Sequence, residues 1–118
     1  MDHHDIEVRG IRIKVAYSFG ARLVGLLGRR ALAPDEGLLL APCSNIHTLF
    51  MRFTIDVVFL DSEGLILAIH RDVKPWRVRA ARRAYACLEL AGGGALRGGL
   101  AVDQRLARLA SHRLAVAP

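Results

Sequence analysis

The sequence predicts a mainly β protein: a small antiparallel β-sandwich or partly closed barrel with one short helix. Three observations support this prediction. Apolar and polar residues alternate over several short runs, Gly and Pro turn signals separate those runs, and β-branched and aromatic residues fill the longest of them. Many short strands between turns are typical of sandwiches and barrels. A chain of 118 residues is long enough for one core, so we expect a single domain over residues 1–118.

In the first half of the chain, alternation and capping signals define the elements. Residues 1–10 are polar, and we expect them to be frayed. Residues 11–17 alternate apolar and polar side chains, which predicts a strand. Ser18 is a typical N-cap and Gly28 accepts the left-handed conformation that ends many helices, so a helix is predicted between them. A Pro-Asp-Glu-Gly turn and a later proline bound a short buried strand at residues 38–40.

In the second half, a long apolar run is followed by shorter elements. Residues 46–60 are too many for one ordinary strand, so we expect two strands with a break near Phe53 and Thr54. The turn at residues 61–64 leads into a hairpin arm at 65–70, and residues 72–84 are basic and irregular. In order after that, we expect a strand at 86–90, glycine-rich turns, one helical turn at 95–100 and a last strand at 104–110.

Composition limits the class of protein. The chain is 53% hydrophobic and only 24% charged, which argues against disorder. It contains no apolar run long enough to cross a membrane and no recognisable signal peptide, so we expect a cytoplasmic protein without a membrane partner. Its net charge of +6 comes from fifteen Arg and two Lys against eleven acidic residues. Guanidinium groups suit carboxylates and phosphates, and a basic chain binds polyanions weakly at low salt.

One stretch combines a buried-strand pattern with isolated polar side chains. The run from Ile46 to Leu60 is apolar apart from an imidazole, two hydroxyls, a guanidinium and a carboxylate. Polar groups on buried strands cost free energy unless they find partners, so they should converge on each other or on a ligand. A tryptophan flanked by cations further along offers a stacking platform. We therefore predict a polar cleft lined by Ser44, His47, Thr48, Met51, Arg52, Asp56, Trp76 and Arg77.

Each candidate also has a structural interpretation. On a continuous strand His47 shares a face with Leu49 and Met51, as a core histidine would. Asp56 has apolar neighbours, so it could be half of a buried ion pair with an arginine such as Arg52 or Arg77; Glu89 raises the same question. Trp76 could simply cover one end of the sandwich.

Five blocks of residues resemble a known family. They are Arg22-Leu23-Val24-Gly25-Leu26-Leu27, Cys43-Ser44-Asn45-Ile46-His47-Thr48-Leu49-Phe50-Met51, Ile55-Asp56-Val57-Val58-Phe59-Leu60-Asp61, Lys74-Pro75-Trp76 and Leu88-Glu89-Leu90. Together they resemble the domain-of-unknown-function 192 family of small prokaryotic proteins. The resemblance implies a small β-sandwich of jelly-roll type and no established activity. The chain departs from the family pattern at Thr54, where proline is usual, and at Asp103-Gln104, where Gly-Asp is usual. It also lacks the export signal of many relatives.

Three functions remain open at this stage. The leading hypothesis is a binding or accessory module whose cleft takes a small anion or a peptide carboxylate. The second is a hydrolase-like enzyme that uses Cys43 as a nucleophile or a His47–Asp56 pair. The third is weak, nonspecific nucleic-acid association through residues 71–83. Cys43 and Cys87 are expected to be reduced thiols, and their spacing matches no metal motif, so no metal and no cofactor are expected.

Overall fold

The computed structural model describes residues 5–16, 32–49 and 51–112 of the chain. In this part the strands are β1 (Asp5–Val8), β2 (Ile11–Ala16), β3 (Glu36–Leu40), β4 (Asn45–His47), β5 (Ile55–Leu60), β6 (Ile66–Val73), β7 (Val78–Ala80) and β8 (Ala86–Ala91). One short helix, α1 (Gly94–Arg97), and a 3-10 turn at Ala107–Leu109 follow. The helix predicted for residues 18–28 lies outside the described residues. No helix in the described part is both long and apolar enough to cross a bilayer.

The strands form two sheets. Six strands pair in the order β1-β2-β3-β8-β5-β6, and β4 pairs with β7 in a separate two-stranded sheet. In the described residues the outer strands β1 and β6 do not pair with each other, so the large sheet stays open. The mainly β prediction is confirmed, and the architecture is sandwich-like rather than barrel-like. The pairing of β2 with β3 is parallel, unlike the others. A parallel neighbour requires a long connection, and residues 17–35 provide it.

Apolar side chains cover both faces of the large sheet. One face packs against α1 and the C-terminal segment, and its core includes Val58, Leu88 and Leu109. The other face packs against the region around the small sheet, with Val57, Phe59, Leu38, Ile46 and Met51 among its buried residues. Every residue of β5 is buried, because this strand has neighbours on both edges and cover on both faces. Double-sided burial explains why residues 55–60 form a nearly continuous apolar run.

Several predicted boundaries shift in the structure. Residues 5–8 pair with β2 instead of being frayed, and β6 extends to Val73. The break within residues 46–60 is confirmed, although it spans 48–54 and is wider than expected. The turn at 61–64 is confirmed, because the Asp61 carboxylate accepts hydrogen bonds from the N–H groups of Glu63 and Leu65. A last strand at 104–110 is wrong: only Arg105 forms a β-bridge, with Leu65, and a 3-10 turn follows.

Candidate functional site

Asp56 is a fully buried carboxylate that connects three elements. Its Oδ1 accepts a hydrogen bond from the N–H of Asp72 near the end of β6, at 2.9 Å. Its Oδ2 accepts one from the N–H of Ala95 in α1, at 3.0 Å. The arginine partners considered from the sequence are therefore wrong. Asp72 has a positive φ of 52° and β5 changes its register with β6 near this point, so the backbone is shaped to present an amide to the carboxylate.

Thr48 is the second fully buried polar side chain, and it fixes the connection between β6 and β7. Its hydroxyl donates to the carbonyl of Lys74 at 2.7 Å and accepts from the N–H of Arg77 at 2.8 Å. Its backbone N–H donates to the Arg77 carbonyl, and its carbonyl accepts from the N–H of Trp76. Four hydrogen bonds from one residue therefore support the 74–77 loop, and both the hydroxyl and the backbone of Thr48 are engaged by it.

This loop presents Trp76 to solvent. Trp76 has a left-handed φ of 66°, and 57% of its surface is exposed. Two residues further along the chain, Val78 is 62% exposed. It forms a cross-strand pair with His47, which is also exposed. Cross-strand partners point to the same side of a sheet, so these two residues share the outer face of the small sheet. We call Trp76, Val78, His47 and the exposed cations Lys74 and Arg77 the Trp76 surface.

The remaining predicted site residues divide between core and surface. Met51 is buried in the core beside the small sheet. The prediction that His47 shares a face with Met51 is wrong, because β4 ends at His47 and the turn that follows breaks the alternation. Arg52 is exposed on the β4–β5 connection, and Ser44 is exposed with its carbonyl accepting from the Ala81 N–H. The structure therefore brings together only part of the predicted cleft.

A second polar cluster lies inside the molecule, on the face of the large sheet that the small sheet covers. Cys87 is fully buried on β8, and the side chain of Cys43 packs against the same core cluster. Cys43 is partly buried, and its Sγ donates to the Asn45 carbonyl at 2.9 Å. Burial raises the pKa of Cys87 well above its usual value, with the neighbouring Cys43 and Glu89 adding to the shift. Sequence reasoning missed this contact, because residues 43 and 87 meet only through strand pairing.

Glu89 completes that interior cluster. It is only 3% exposed and pairs across the sheet with Leu38 and Val57, which belong to the same core. Among the described residues its Oε2 has no hydrogen-bond partner. Burial raises its pKa to about 8, and the nearby Cys43 contributes further. The buried ion pair considered for Glu89 is wrong. In the part of the chain that the structure describes, no cation pairs with this carboxyl, so it is neutral over most of the physiological range.

His70 lies on the same cross-strand row as Glu89, at the sheet edge. Val57 pairs with Glu89 on one side and with His70 on the other. The imidazole packs edge-on against Phe59, with ring centroids 5.7 Å apart. Partial burial lowers the pKa of His70, and the positive charge of Arg79 lowers it further. His70 is therefore a packing residue that stays neutral at neutral pH.

The structure does not bring together the residues that the sequence suggested for a hydrolase. The Asp56 carboxylate is buried and bonded to two amides, whereas His47 is exposed on the outer face of the small sheet. The Cys43 thiol donates to the Asn45 carbonyl, and its side chain packs against the core cluster that contains Cys87. Among the described residues, no group of three His, Cys, Asp or Glu side chains is arranged to hold a metal ion.

An open six-stranded sheet, a small second sheet and an outward aromatic loop define a compact mainly β domain. Over residues 2–108 the chain matches the model of DUF192, a family described as uncharacterized ACR, and it belongs to that family. No curated protein matches it.

Two solved structures are similar to this fold. One, from Sinorhizobium meliloti 1021, is named as a candidate transcription regulator. It is 26% identical with a TM-score of 0.72, over 80% of this chain and 79% of that one. The other, a protein of unknown function from Novosphingobium aromaticivorans DSM 12444, is 22% identical with a TM-score of 0.71, over 86% of this chain and 79% of that one.

Proposed function

We propose that the protein is a binding module that takes an organic carboxylate, such as the carboxyl end of a peptide, on the Trp76 surface. The single observation that carries this proposal is the exposed Trp76 ring on a loop that Thr48 fixes by four hydrogen bonds. Leaving an aromatic side chain in solvent forgoes the stabilisation that its burial would give, and ordering the loop that carries it costs conformational entropy. Both are costs to the free protein. A surface that is rigid before binding loses less entropy when a ligand arrives.

The chemistry of the surface indicates the class of ligand. Lys74 and Arg77 are exposed cations on the same loop as Trp76, and a guanidinium such as that of Arg77 can bind a carboxylate through two parallel N–H donors. Trp76 and Val78 provide apolar area for the rest of the ligand. A carboxylate attached to an apolar group therefore suits the surface better than a bare inorganic anion, which would use the cations alone.

Titration followed by Trp76 fluorescence tests this proposal directly, because the chain contains one tryptophan. We expect short peptides that end in an apolar residue to change the emission with a Kd of about 0.1–1 mM, and the matching peptide amides to bind at least about tenfold more weakly. Arg77→Gln should weaken binding, whereas Arg108→Gln, an equal loss of charge at another exposed position, should not. No emission change up to about 10 mM peptide, or equal binding of acids and amides, would contradict the proposal.

Nucleic acid is the second candidate occupant, and two observations favour it. The loop and strand that carry Trp76 are basic, with Arg71, Arg77, Arg79, Arg82 and Arg83 in a short segment. The Sinorhizobium relative is named as a candidate transcription regulator. Specific readers of single strands use several aromatic side chains as stacking platforms, whereas this surface has one. We therefore place nucleic acid second, as a weak and sequence-independent partner.

A further inference from the structure

We infer that Cys43 and Cys87 form a redox-active dithiol, which a hydroperoxide oxidises to a disulfide, with Glu89 relaying the proton of the second step. This site is separate from the Trp76 surface. It rests on three features that the binding function does not use: two cysteines in the same core cluster, their unequal access to solvent, and a buried carboxyl on the same strand face as Cys87 with an oxygen that has no partner among the described residues.

The two thiols are held together by the backbone. Leu40 pairs with Cys87 in the β3–β8 ladder, and the N–H of Cys43 donates to the carbonyl of Tyr85 at 2.7 Å. Cys43 therefore lies beside the start of β8, opposite a residue two positions before Cys87, and its side chain packs against the core cluster that contains Cys87. A disulfide requires the two Cα atoms to lie within about 7 Å of each other, and a backbone that fixes both residues in this way favours that geometry.

The different exposure of the two cysteines indicates which of them the oxidant reaches first. Cys43 is partly exposed and can meet a small oxidant, whereas Cys87 is fully buried and cannot. The Cys43 sulfur attacks an oxygen of the hydroperoxide, the O–O bond breaks, and the departing alkoxide takes the Cys43 proton. Cys43 becomes a sulfenic acid, and the hydroperoxide is reduced by two electrons to an alcohol.

The Cys87 sulfur then attacks the Cys43 sulfur. The S–S bond forms and the S–O bond breaks, so hydroxide leaves and must receive the Cys87 proton to become water. A neutral thiol is a poor nucleophile, and a buried thiolate is costly. Glu89 lies two residues from Cys87 on the same strand and the same face, with one carboxyl oxygen unpartnered among the described residues. As a neutral carboxyl it can accept the thiol proton on one oxygen while donating its own proton from the other.

Mass spectrometry of the full chain tests the assignment. Reduced protein is treated with one equivalent of hydrogen peroxide, quenched with an alkylating reagent under denaturing conditions, and digested. We expect a linked peptide pair containing Cys43 and Cys87, formed at least about tenfold faster than in the same chain kept unfolded in urea. Cys43 oxidised to sulfinic acid beside an alkylated Cys87, covalent dimers, or equal rates in the folded and unfolded chains would each overturn the inference.

Two variants separate the steps. Cys87→Ser removes the resolving thiol, so a sulfenic acid should persist at Cys43 and react with a 1,3-diketone probe. Glu89→Gln keeps the shape of the side chain but cannot relay a proton, so the same sulfenic acid should accumulate and close to the disulfide about tenfold more slowly. Melting of both reduced variants is measured first. If Glu89→Gln is folded and forms the disulfide at the parent rate, the proposed role of Glu89 is wrong. If Glu89→Gln does not fold, the comparison of folded and unfolded parent protein still tests whether Cys43 and Cys87 form a redox-active dithiol.

Discussion

At the scale of single residues, the buried carboxylates of this protein differ by their hydrogen-bond partners. Asp56 has two backbone N–H donors, one for each oxygen, from elements distant in the sequence. Glu89 keeps one oxygen without a partner in the described part of the chain. The two donors satisfy the hydrogen-bonding capacity of the Asp56 carboxylate, whereas burial without a partner favours the neutral acid at Glu89. Asp56 thus supports the fold, and Glu89 is costly to it.

Asp56→Ala should destabilise the protein. The change leaves the N–H groups of Asp72 and Ala95 without their acceptor, and each buried orphan donor costs about 1–3 kcal/mol. We expect a total loss of about 2–4 kcal/mol in the free energy of unfolding, measured by urea denaturation. Glu63→Ala, at an exposed carboxylate, is the control and should change stability by less than about 0.5 kcal/mol. A rise in melting temperature for Asp56→Ala would instead indicate that the carboxylate serves ligand binding.

Glu89 should make stability depend on pH. Its pKa in the folded protein is raised to about 8 from an ordinary value of 4.5. Between these two values the unfolded chain loses the Glu89 proton while the folded protein retains it, so stability falls as pH rises from about 4.5 to about 8 and is level beyond. Glu89→Gln removes this contribution. The melting temperature of the variant should therefore rise relative to that of the parent as pH increases through the same range. A difference between the two proteins that does not change from pH 5 to pH 8 would contradict the assignment.

At the scale of elements, the loops of this protein are positioned by residues on other strands. The 74–77 loop depends on Thr48, at the end of β4, and the turn at residues 61–64 depends on the C-terminal segment. The N–H of Leu106 donates to the Gly64 carbonyl at 2.7 Å, and the N–H of Ser111 donates to the Ser62 carbonyl. These contacts are far apart in sequence, so turn signals could locate the turn at residues 61–64 but could not show which distant segments hold either loop.

Thr48→Val should loosen the loop that carries Trp76. Valine keeps the shape of threonine but loses the hydroxyl that bonds the Lys74 carbonyl and the Arg77 N–H. We expect a loss of about 1–3 kcal/mol in stability and a lower fluorescence anisotropy of Trp76. Thr48→Ser retains the hydroxyl and is the matched control, with anisotropy close to that of the parent. Equal anisotropy in the valine and serine variants would show that the backbone alone holds the loop.

Gly64→Ala and Gly10→Ala form a second matched pair. Both glycines have positive φ, 82° and 77°, so alanine is strained by about 1 kcal/mol at either position. A Cβ at Gly64 would also collide with the Leu106 carbonyl oxygen, whereas a Cβ at Gly10 meets nothing within 4 Å. We expect Gly64→Ala to be the more destabilising by at least about 2 kcal/mol in chemical denaturation. Similar losses of stability at both positions would mean that the C-terminal segment around Leu106 can move aside at little cost in free energy.

At the scale of the whole molecule, the net charge of +6 and the proposed carboxylate site predict different responses to nucleic acid. We expect short oligonucleotides to bind weakly and without regard to sequence, with affinity falling steeply as salt increases, because phosphate contacts dominate such binding. Electrophoretic mobility or fluorescence anisotropy at physiological salt measures this. Submicromolar affinity that distinguishes one sequence from another would favour a specific nucleic-acid function over carboxylate binding.

The sequence by itself determined the mainly β class and the approximate place of most strands. Alternation located β2, turn signals located β3 and the hairpin of β5 and β6, and a continuous apolar run marked β5 as buried. These features are encoded locally, because side-chain period and turn chemistry act over a few residues. The resemblance to the DUF192 family, which the family match confirms, was also a property of the sequence alone.

Tertiary structure alone decided which polar residues meet. The sequence marked Asp56, Thr48 and His47 as unusual, but it could not show that amides bind the first, that the second fixes a loop, or that the third faces solvent. Contacts between strands depend on pairing order and register, which join residues dozens of positions apart, as in Cys43 with Cys87. A change of one residue in register reverses the face of every side chain that follows. The sites of this protein are therefore set by how its strands pair.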